Sequence, residues 1–393
     1  MSEVIYLDHA AATPISERVL AAMQPYFAGQ FFNPSSPYLP AVRVRQAYEA
    51  AKDEIAAAIG AKGSDLVMTA GATESINLAF SLFQGDSLER GSGKKRALVS
   101  AIEHPAVLAA ARAYANCETF AVSKYGLVDL GDLESKIAPD VMLVSVALVS
   151  GELGTIQPIS DIARLVEAER LRRLQGGEKL PIYLHCDASQ GFGLLDVNVA
   201  RLGVDMLTLN AAKIYGPKQV GLLWVKPGVR LRPVVTGGGQ EMGLRSGTEN
   251  VAGAVGFTAA VSEAKRSMKS EVKRLGKLKK TLKDKLSAID DIEFLGSDRK
   301  QLVSFLPVVI PGIDAERLIF MLEQDGVLLS TGAACAANKG EKSHVLAAIG
   351  LDDTEAQGSL RISLGKLNDT ENVAQAAELI VAAVQKERAR LNE

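Results

Sequence analysis

The residues of this chain best placed for chemistry are a lysine and an aspartate at the ends of two apolar runs. Thr208-Leu-Asn-Ala-Ala-Lys213-Ile-Tyr-Gly-Pro217 brings Lys213 to a Gly-Pro turn, and Ile182-Tyr-Leu leads through His185-Cys186 to Asp187-Ala-Ser-Gln190. A lysine amine leaving a buried strand is readily depressed in pKa and can form a Schiff base, while a fixed aspartate can hold a protonated heterocyclic nitrogen. Taken alone, either residue is also explained as a surface lysine or a helix-capping aspartate. Taken together they point to pyridoxal phosphate.

Three other stretches carry reactive types. Leu66-Val-Met-Thr69 reads as a strand, Ala70-Gly71-Ala72 as a tight turn and Thr73 to Phe80 as the start of a helix. Free N–H groups, the Thr73 hydroxyl and the helix dipole converge there and could hold a phosphate, although such junctions are common in α/β folds. Ala97 to Ile102 is a further strand that ends at Glu103-His104-Pro105, putting an imidazole where open α/β sheets bind ligands, or where a loop simply carries one. Cys335 sits in Leu329-Ser-Thr-Gly-Ala-Ala-Cys335-Ala-Ala-Asn-Lys, small and polar surroundings that predict an accessible thiol. Cys117 and Cys186 read as structural, and no CxxC pair supports a disulfide framework or a metal site.

The elements around these residues alternate. Strands and helices follow one another through residues 60–225, and Val141 to Val149 is a continuous apolar run of strand length. That pattern predicts a largely parallel sheet covered on both faces. Gly237-Gly-Gly239 to Asn250 is glycine-dense but carries Arg245, Thr248 and Asn250, so it predicts a folded loop near a ligand or a neighbouring subunit. A helix from about Val251 to Ile289, expected to bend, places Met268, Val272, Leu275, Leu278, Leu282, Leu286 and Ile289 on one face, between basic residues of a solvated face. Beyond it the composition changes. We expect a large domain over residues 15–255 and a smaller α+β domain from residues 256–393 with residues 1–14.

The 393 residues are 47% apolar and 23% charged with a formal charge of −2, which favours a globular protein and gives no reason to expect nucleic acid or an anionic membrane as partner. The first residues enter an apolar strand at once, with no signal-peptide pattern and no span-length apolar run anywhere, so the expected compartment is the cytoplasm.

The ordered set of motifs resembles the cysteine desulfurases of pyridoxal-phosphate fold type I, in the class-V aminotransferase family, and most of all the group with an extended cysteine loop. The similarity runs from Leu7-Asp-His-Ala-Ala-Ala-Thr-Pro14 through Asn33-Pro-Ser-Ser36, Gly71-Ala-Thr-Glu-Ser75, Glu103-His104, Asp187-Ala-Ser-Gln190, Lys213-Ile-Tyr-Gly-Pro217, Gly237-Gly-Gly239 and Arg245-Ser-Gly-Thr248 to the Cys335 loop and Arg361-Ile-Ser-Leu-Gly365. It implies an α/β fold with a large, mainly parallel-sheet cofactor domain and a smaller α+β domain carrying the cysteine loop. By the same resemblance Lys213 binds the cofactor covalently and moves the α-proton, Asp187 pairs with the ring nitrogen, Gln190 bonds the ring oxygen and His104 stacks on the ring. Ala72, Thr73 and Asn210 hold the phosphate, joined by Thr248 from the partner of a homodimer. Arg361 takes the substrate carboxylate, with Asn33 nearby, and Cys335 accepts sulfur from L-cysteine for delivery to an acceptor or scaffold protein in iron–sulfur or tRNA-thiolation pathways. No metal is implied.

The chain departs from the family at informative positions. Ser150-Gly151 precedes Glu152 where the family has an asparagine pair, and Asn210-Ala-Ala212 precedes Lys213 where it commonly has Ser-x-His. Gln240 and Tyr38 stand where histidines are frequent. These changes predict a weaker cofactor grip or altered substrate handling. They also keep a selenocysteine lyase or another β-elimination enzyme, and a catalytically degenerate binding platform, as competing readings.

Overall fold

The computed structural model describes residues 4–84, 95–332 and 343–392. Its strands are β1 (Ile5–Tyr6), β2 (Leu66–Thr69), β3 (Arg96–Ser100), β4 (Asn116–Phe120), β5 (Val141–Ala147), β6 (Tyr183–Asp187), β7 (Met206–Asn210) and β8 (Gly221–Val225), then β9 (Glu293–Phe294), β10 (Phe305–Val309), β11 (Val327–Leu328), β12 (Ser330–Thr331) and β13 (Ser359–Ser363).

Seven of them form the central sheet in the order β2-β8-β7-β6-β5-β3-β4. The pairs from β4 to β7 are parallel, as the alternating elements predict. The exception is β8, antiparallel to both β2 and β7. This reversal matters for the site, because the chain leaving Asn210 must turn through Lys213 and come straight back at Gly221, its partner across the pair.

Alternate residues of each strand enter opposite layers. Leu98, Val144, Leu184 and Leu209 pack with the helix Leu39–Ile59 and the first half of the helix Val251–Leu286. Val99, Leu143 and Leu223 pack with the helices Ala72–Phe80 and Pro105–Tyr114 on the other face. Both faces are therefore dry, which is why β5 could be a continuous apolar run.

A second core lies around β10 and β13. The strand order β12-β13-β10-β9 is antiparallel throughout, and β1 pairs with β11 in parallel beside this unit. Ile5 and Leu7 are buried here with Leu306, Ile362 and Ile380. The helix Val251–Leu286 is one helix and ends at Leu286, short of Ile289. Asn250 caps it by accepting from Gly253 N–H, satisfying a first-turn donor. Residues up to Ala264 belong to the first core and Leu275, Leu278, Leu282 and Leu286 to the second, so the core changes hands further along the helix than residue 256. Among the described residues no helix is long and apolar enough to cross a membrane.

Candidate active site

The site assembles at the C-terminal ends of β5, β6 and β7. Asp187 closes β6, and its Oδ1 accepts from Ser189 N–H at 3.0 Å, which fixes the carboxylate within its own turn. Two residues earlier on the same strand, His185 is fully buried between Ser145 Oγ at 2.8 Å and Thr208 Oγ1 at 3.0 Å. Loss of water holds its pKa down at about 4 against the opposing pull of Asp187, so a neutral imidazole stitches β5, β6 and β7 together under the aspartate.

Glu103 works from the turn after β3, the strand beside β5. Its side chain is buried, and Oε1 accepts from Ala147 N–H at 2.7 Å, the residue paired with Asp187 across β5 and β6. Burial pushes the carboxyl up to about 8, the Ala147 hydrogen bond pulls it down, and Asp187 pushes it further up. His104 follows as the cap of the helix Pro105–Tyr114, accepting from Ala106 N–H through Nδ1 at 3.1 Å. Its ring stays open to solvent on one side. Desolvation on the other lowers its pKa, Asp187 opposes this, and Lys213, His344 and Arg361 add to the lowering.

Lys213 lies in the short turn Ala211–Lys213 after β7, and its Nζ donates to Ala10 O at 2.7 Å and Ala11 O at 2.8 Å. Gln190 Nε2 donates to the same Ala10 carbonyl at 3.0 Å. Thr13 fastens this strap to the lysine turn: its hydroxyl donates to Ala212 O at 2.9 Å and accepts from Tyr215 N–H at 2.9 Å. Asn210 Oδ1 accepts from Ala212 N–H at 3.1 Å, leaving its amide NH2 as the donor that could reach a ligand.

At the end of β2, Gly71 has φ 127°, a value that L side chains rarely adopt, and it contributes no side-chain cap to the helix Ala72–Phe80. A Cβ on Gly221 would lie 2.7 Å from Gly71, so glycine at 221 lets this turn sit against β8. The first-turn N–H groups of Ala72 and Thr73 therefore have no side chain closing over them, and Thr73 is exposed. Glu74 braces the turn, accepting from Ala70 N–H at 2.6 Å and from Arg245 Nε at 3.0 Å. The glycine-rich segment is folded, as expected. Glu241, buried, accepts from Met68 N–H at 2.7 Å, Tyr48 OH at 2.5 Å and Lys52 Nζ at 3.2 Å.

Arg361 arrives from the second core, mid-strand in β13. Its side chain is buried, Nη2 donates to Asp8 Oδ1 at 2.8 Å and Nη1 to Gly151 O at 3.3 Å. Its Nε has no hydrogen-bond partner among the described residues. Glu152 beside Gly151 accepts from Ser343 OH at 2.6 Å, and burial raises its carboxyl to about 7 against that hydrogen bond and Arg361.

The structure thus joins Lys213, Gln190 and Arg361 through one N-terminal strap and sets His104 in the field of Asp187, Lys213 and Arg361. Asn33 and Thr248 are exposed and share no hydrogen bond with this group among the described residues; Asn33 Oδ1 instead accepts from Ser35 N–H at 2.9 Å. Cys335 lies outside the described residues. Cys186 is fully buried and Cys117 half-buried in β4, as structural thiols should be. Asp8, Ala10, Glu103 and His185 belong to the motifs read in the sequence, but their supporting roles are not legible there. A phosphorylated pyridine aldehyde fits this donor set: an open helix N-terminus for the phosphate, a strand-end carboxylate for a ring nitrogen and an amine on the adjacent loop.

Comparison with known proteins agrees with this chemistry. The family model "Aminotransferase class-V" matches residues 5–375. A protein of Archaeoglobus fulgidus, "Cysteine desulfurase IscS 1", is 38% identical over 387 residues, covering 98% of this chain and 97% of its own length. A cysteine desulfurase of Frankia sp. is 38% identical, covering 98% of this chain and 92% of its own length. Among solved structures, a NifS-like protein superposes with a TM-score of 0.88 at 31% identity, covering 97% of this chain and 99% of that one. The structure titled "SspA in complex with cysteine" superposes with a TM-score of 0.76 at 32% identity, covering 92% of this chain and 98% of that one. The chain therefore belongs to the class-V aminotransferase family, within its pyridoxal-phosphate-dependent cysteine desulfurases.

Proposed function

We propose that the protein converts L-cysteine to L-alanine and keeps the sulfur as a persulfide on Cys335. The observation that supports this reading is the strap Asp8–Ala11, which ties the lysine, the glutamine and the arginine to one short segment of the chain. The atoms balance: the substrate carbon–sulfur bond breaks, the Cys335 thiol gains the sulfur as a persulfide, and the carbon skeleton leaves as alanine. When bound, pyridoxal phosphate supplies the electron sink that stabilises negative charge at the substrate carbons.

The remaining work belongs to side chains. Lys213 holds the cofactor aldehyde and afterwards moves the proton at the substrate α-carbon. Asp187 would hold the ring nitrogen, Gln190 would serve as a donor to the ring substituents, and His104 would hold the ring face and assist proton movement. Ala72 and Thr73 at the helix N-terminus, with the Asn210 amide, hold the phosphate. Arg361 receives the substrate carboxylate, and Asn33 is a further candidate for holding the substrate. A homodimer adds Thr248 from its partner. Phe27, Phe31, Tyr38 and Leu39 support this, Phe31 being 68% exposed in a single chain and apt for cover by a second copy. The persulfide passes to a sulfur-acceptor protein of the cytoplasm.

Incubation with L-cysteine tests the reading by following alanine and the persulfide together. Stoichiometric alanine with persulfide on Cys335, and loss of sulfide release in Cys335→Ala, is the expected result. Unchanged turnover in Cys335→Ala removes the persulfide role.

A further inference from the structure

Asp8 belongs to the N-terminal strap, and its carboxylate is the long-range partner of Arg361 at 2.8 Å. The pair is largely shielded, with side chains 8% and 18% exposed for Arg361 and Asp8. Asp8 is itself pinned: it bridges Ser363 on β13, and its carbonyl accepts from Tyr6 OH at 2.8 Å and Ala11 N–H at 3.0 Å. On the guanidinium, Asp8 takes one Nη2 hydrogen and Gly151 O one Nη1 hydrogen, while Nε is buried with no partner among the described residues. A guanidinium has five N–H donors in one plane, so two contacts fix its orientation and leave donors for a further carboxylate.

We propose that Asp8 is a positioning residue for substrate recognition: it holds the Arg361 guanidinium in a carboxylate-receiving pose, so that the substrate carboxylate joins the pair instead of displacing Asp8. The inference rests on Arg361 being the carboxylate receptor. Because the substrate meets an arginine already carrying one negative neighbour, the pair selects a ligand by the shape of the remaining donors more than by bulk charge. Asp8 also sets the register of Ala10 and Ala11, whose carbonyls hold Lys213, so carboxylate recognition and lysine placement share one strap.

The test uses the cofactor-loaded enzyme and two ligands: L-alanine, which has the carboxylate, and cysteamine, which has the amine and thiol without it. Binding is followed by calorimetry and by the visible cofactor spectrum. Asp8→Ala should weaken L-alanine binding about tenfold or more and leave cysteamine within about twofold. Asp8→Asn, which keeps the acceptor and loses the charge, should stay within about threefold of the parent for both ligands. Asp8→Glu, the second variant should the alanine one not fold, should displace the guanidinium and lose L-alanine selectively. Parental L-alanine affinity in Asp8→Ala or Asp8→Glu, or equal loss of both ligands, overturns the proposal. Arg361→Ala separates the layers: if it binds L-alanine like the parent, the receptor role itself is wrong, whereas weakening there with no effect at Asp8 removes the positioning role alone.

Discussion

The two sides of the active site are built differently. On the sheet side, Asp187, His104 and Asn210 sit at or just after strand ends, and each is oriented by a neighbour two residues away: Ser189, Ala106 and Ala212. On the other side, Arg361 lies mid-strand in β13, and its guanidinium is held by partners 353 and 210 residues away in sequence. The three side chains of the sheet side are oriented within short local turns. The arginine side exists only when both cores are in place, since Asp8 comes from the strap beside β1 and Gly151 from the loop after β5. Local turns thus orient Asp187, His104 and Asn210, whereas Arg361 depends on long-range assembly, as does the Lys213 amine, whose acceptors Ala10 O and Ala11 O lie 203 and 202 residues away.

The largest effect should come from the sheet side. Lys213→Ala would remove the proposed covalent anchor and proton carrier together, and turnover should fall by roughly a thousandfold or more. The visible cofactor band should no longer be fixed by borohydride, and retention of a reducible band would reassign the lysine. On the arginine side, Arg361→Ala should raise KM for L-cysteine by about 30- to 1,000-fold, since it removes one member of a buried charge-assisted contact. Arg361→Lys should recover little of it, because a point charge cannot reproduce a planar donor fork. A kcat loss as large as the KM gain would move Arg361 from selection into chemistry and erase the contrast between the two sides.

A smaller, opposite effect is expected at the seam between them. Gly151 has room: a Cβ there would meet Gln190 Nε2 at 3.8 Å, ordinary contact distance. Gly151→Asn should therefore be accommodated and add an amide beside Gln190, lowering KM for L-cysteine by about two- to tenfold for one added hydrogen bond. An increase in KM would show that the open space at Gly151 is itself used by the substrate.

This division also decides how much could be read from the chain alone. Lys213, Asp187 and the Gly71 turn were legible because an apolar run ending in one polar residue is a local pattern that a parallel strand demands. The strand order, with β8 reversed between β2 and β7, was not: hydrophobic alternation is the same for a strand in either direction. Nor was the Asp8–Arg361 pair, whose members are near opposite ends of the sequence, or the burial of Glu103, which its motif with His104 does not reveal. Conversely, Thr248 and Asn33 carry motif signals but are exposed and share no hydrogen bond with the cluster among the described residues.

Glu103 supplies a prediction of stability in place of turnover. Its carboxyl is raised to about 8 by burial, against an ordinary value of 4.5. A carboxyl raised in the folded state binds a proton more tightly there than in the unfolded chain, so its contribution is complete below about pH 4.5 and is lost as pH rises toward 8. Between those limits stability should decline with pH by on the order of 1 kcal/mol per unit from this group. Glu103→Gln keeps an acceptor for Ala147 N–H and cannot ionise, so its melting temperature should be less pH-dependent than the parent's from pH 5 to 8. The parent should lose ground to the variant toward pH 8. Parallel melting curves across that range would mean that Glu103 is ionised in the fold, balanced by a positive group, and that the carboxylate next to His104 belongs to the charged part of the site and not to its scaffold.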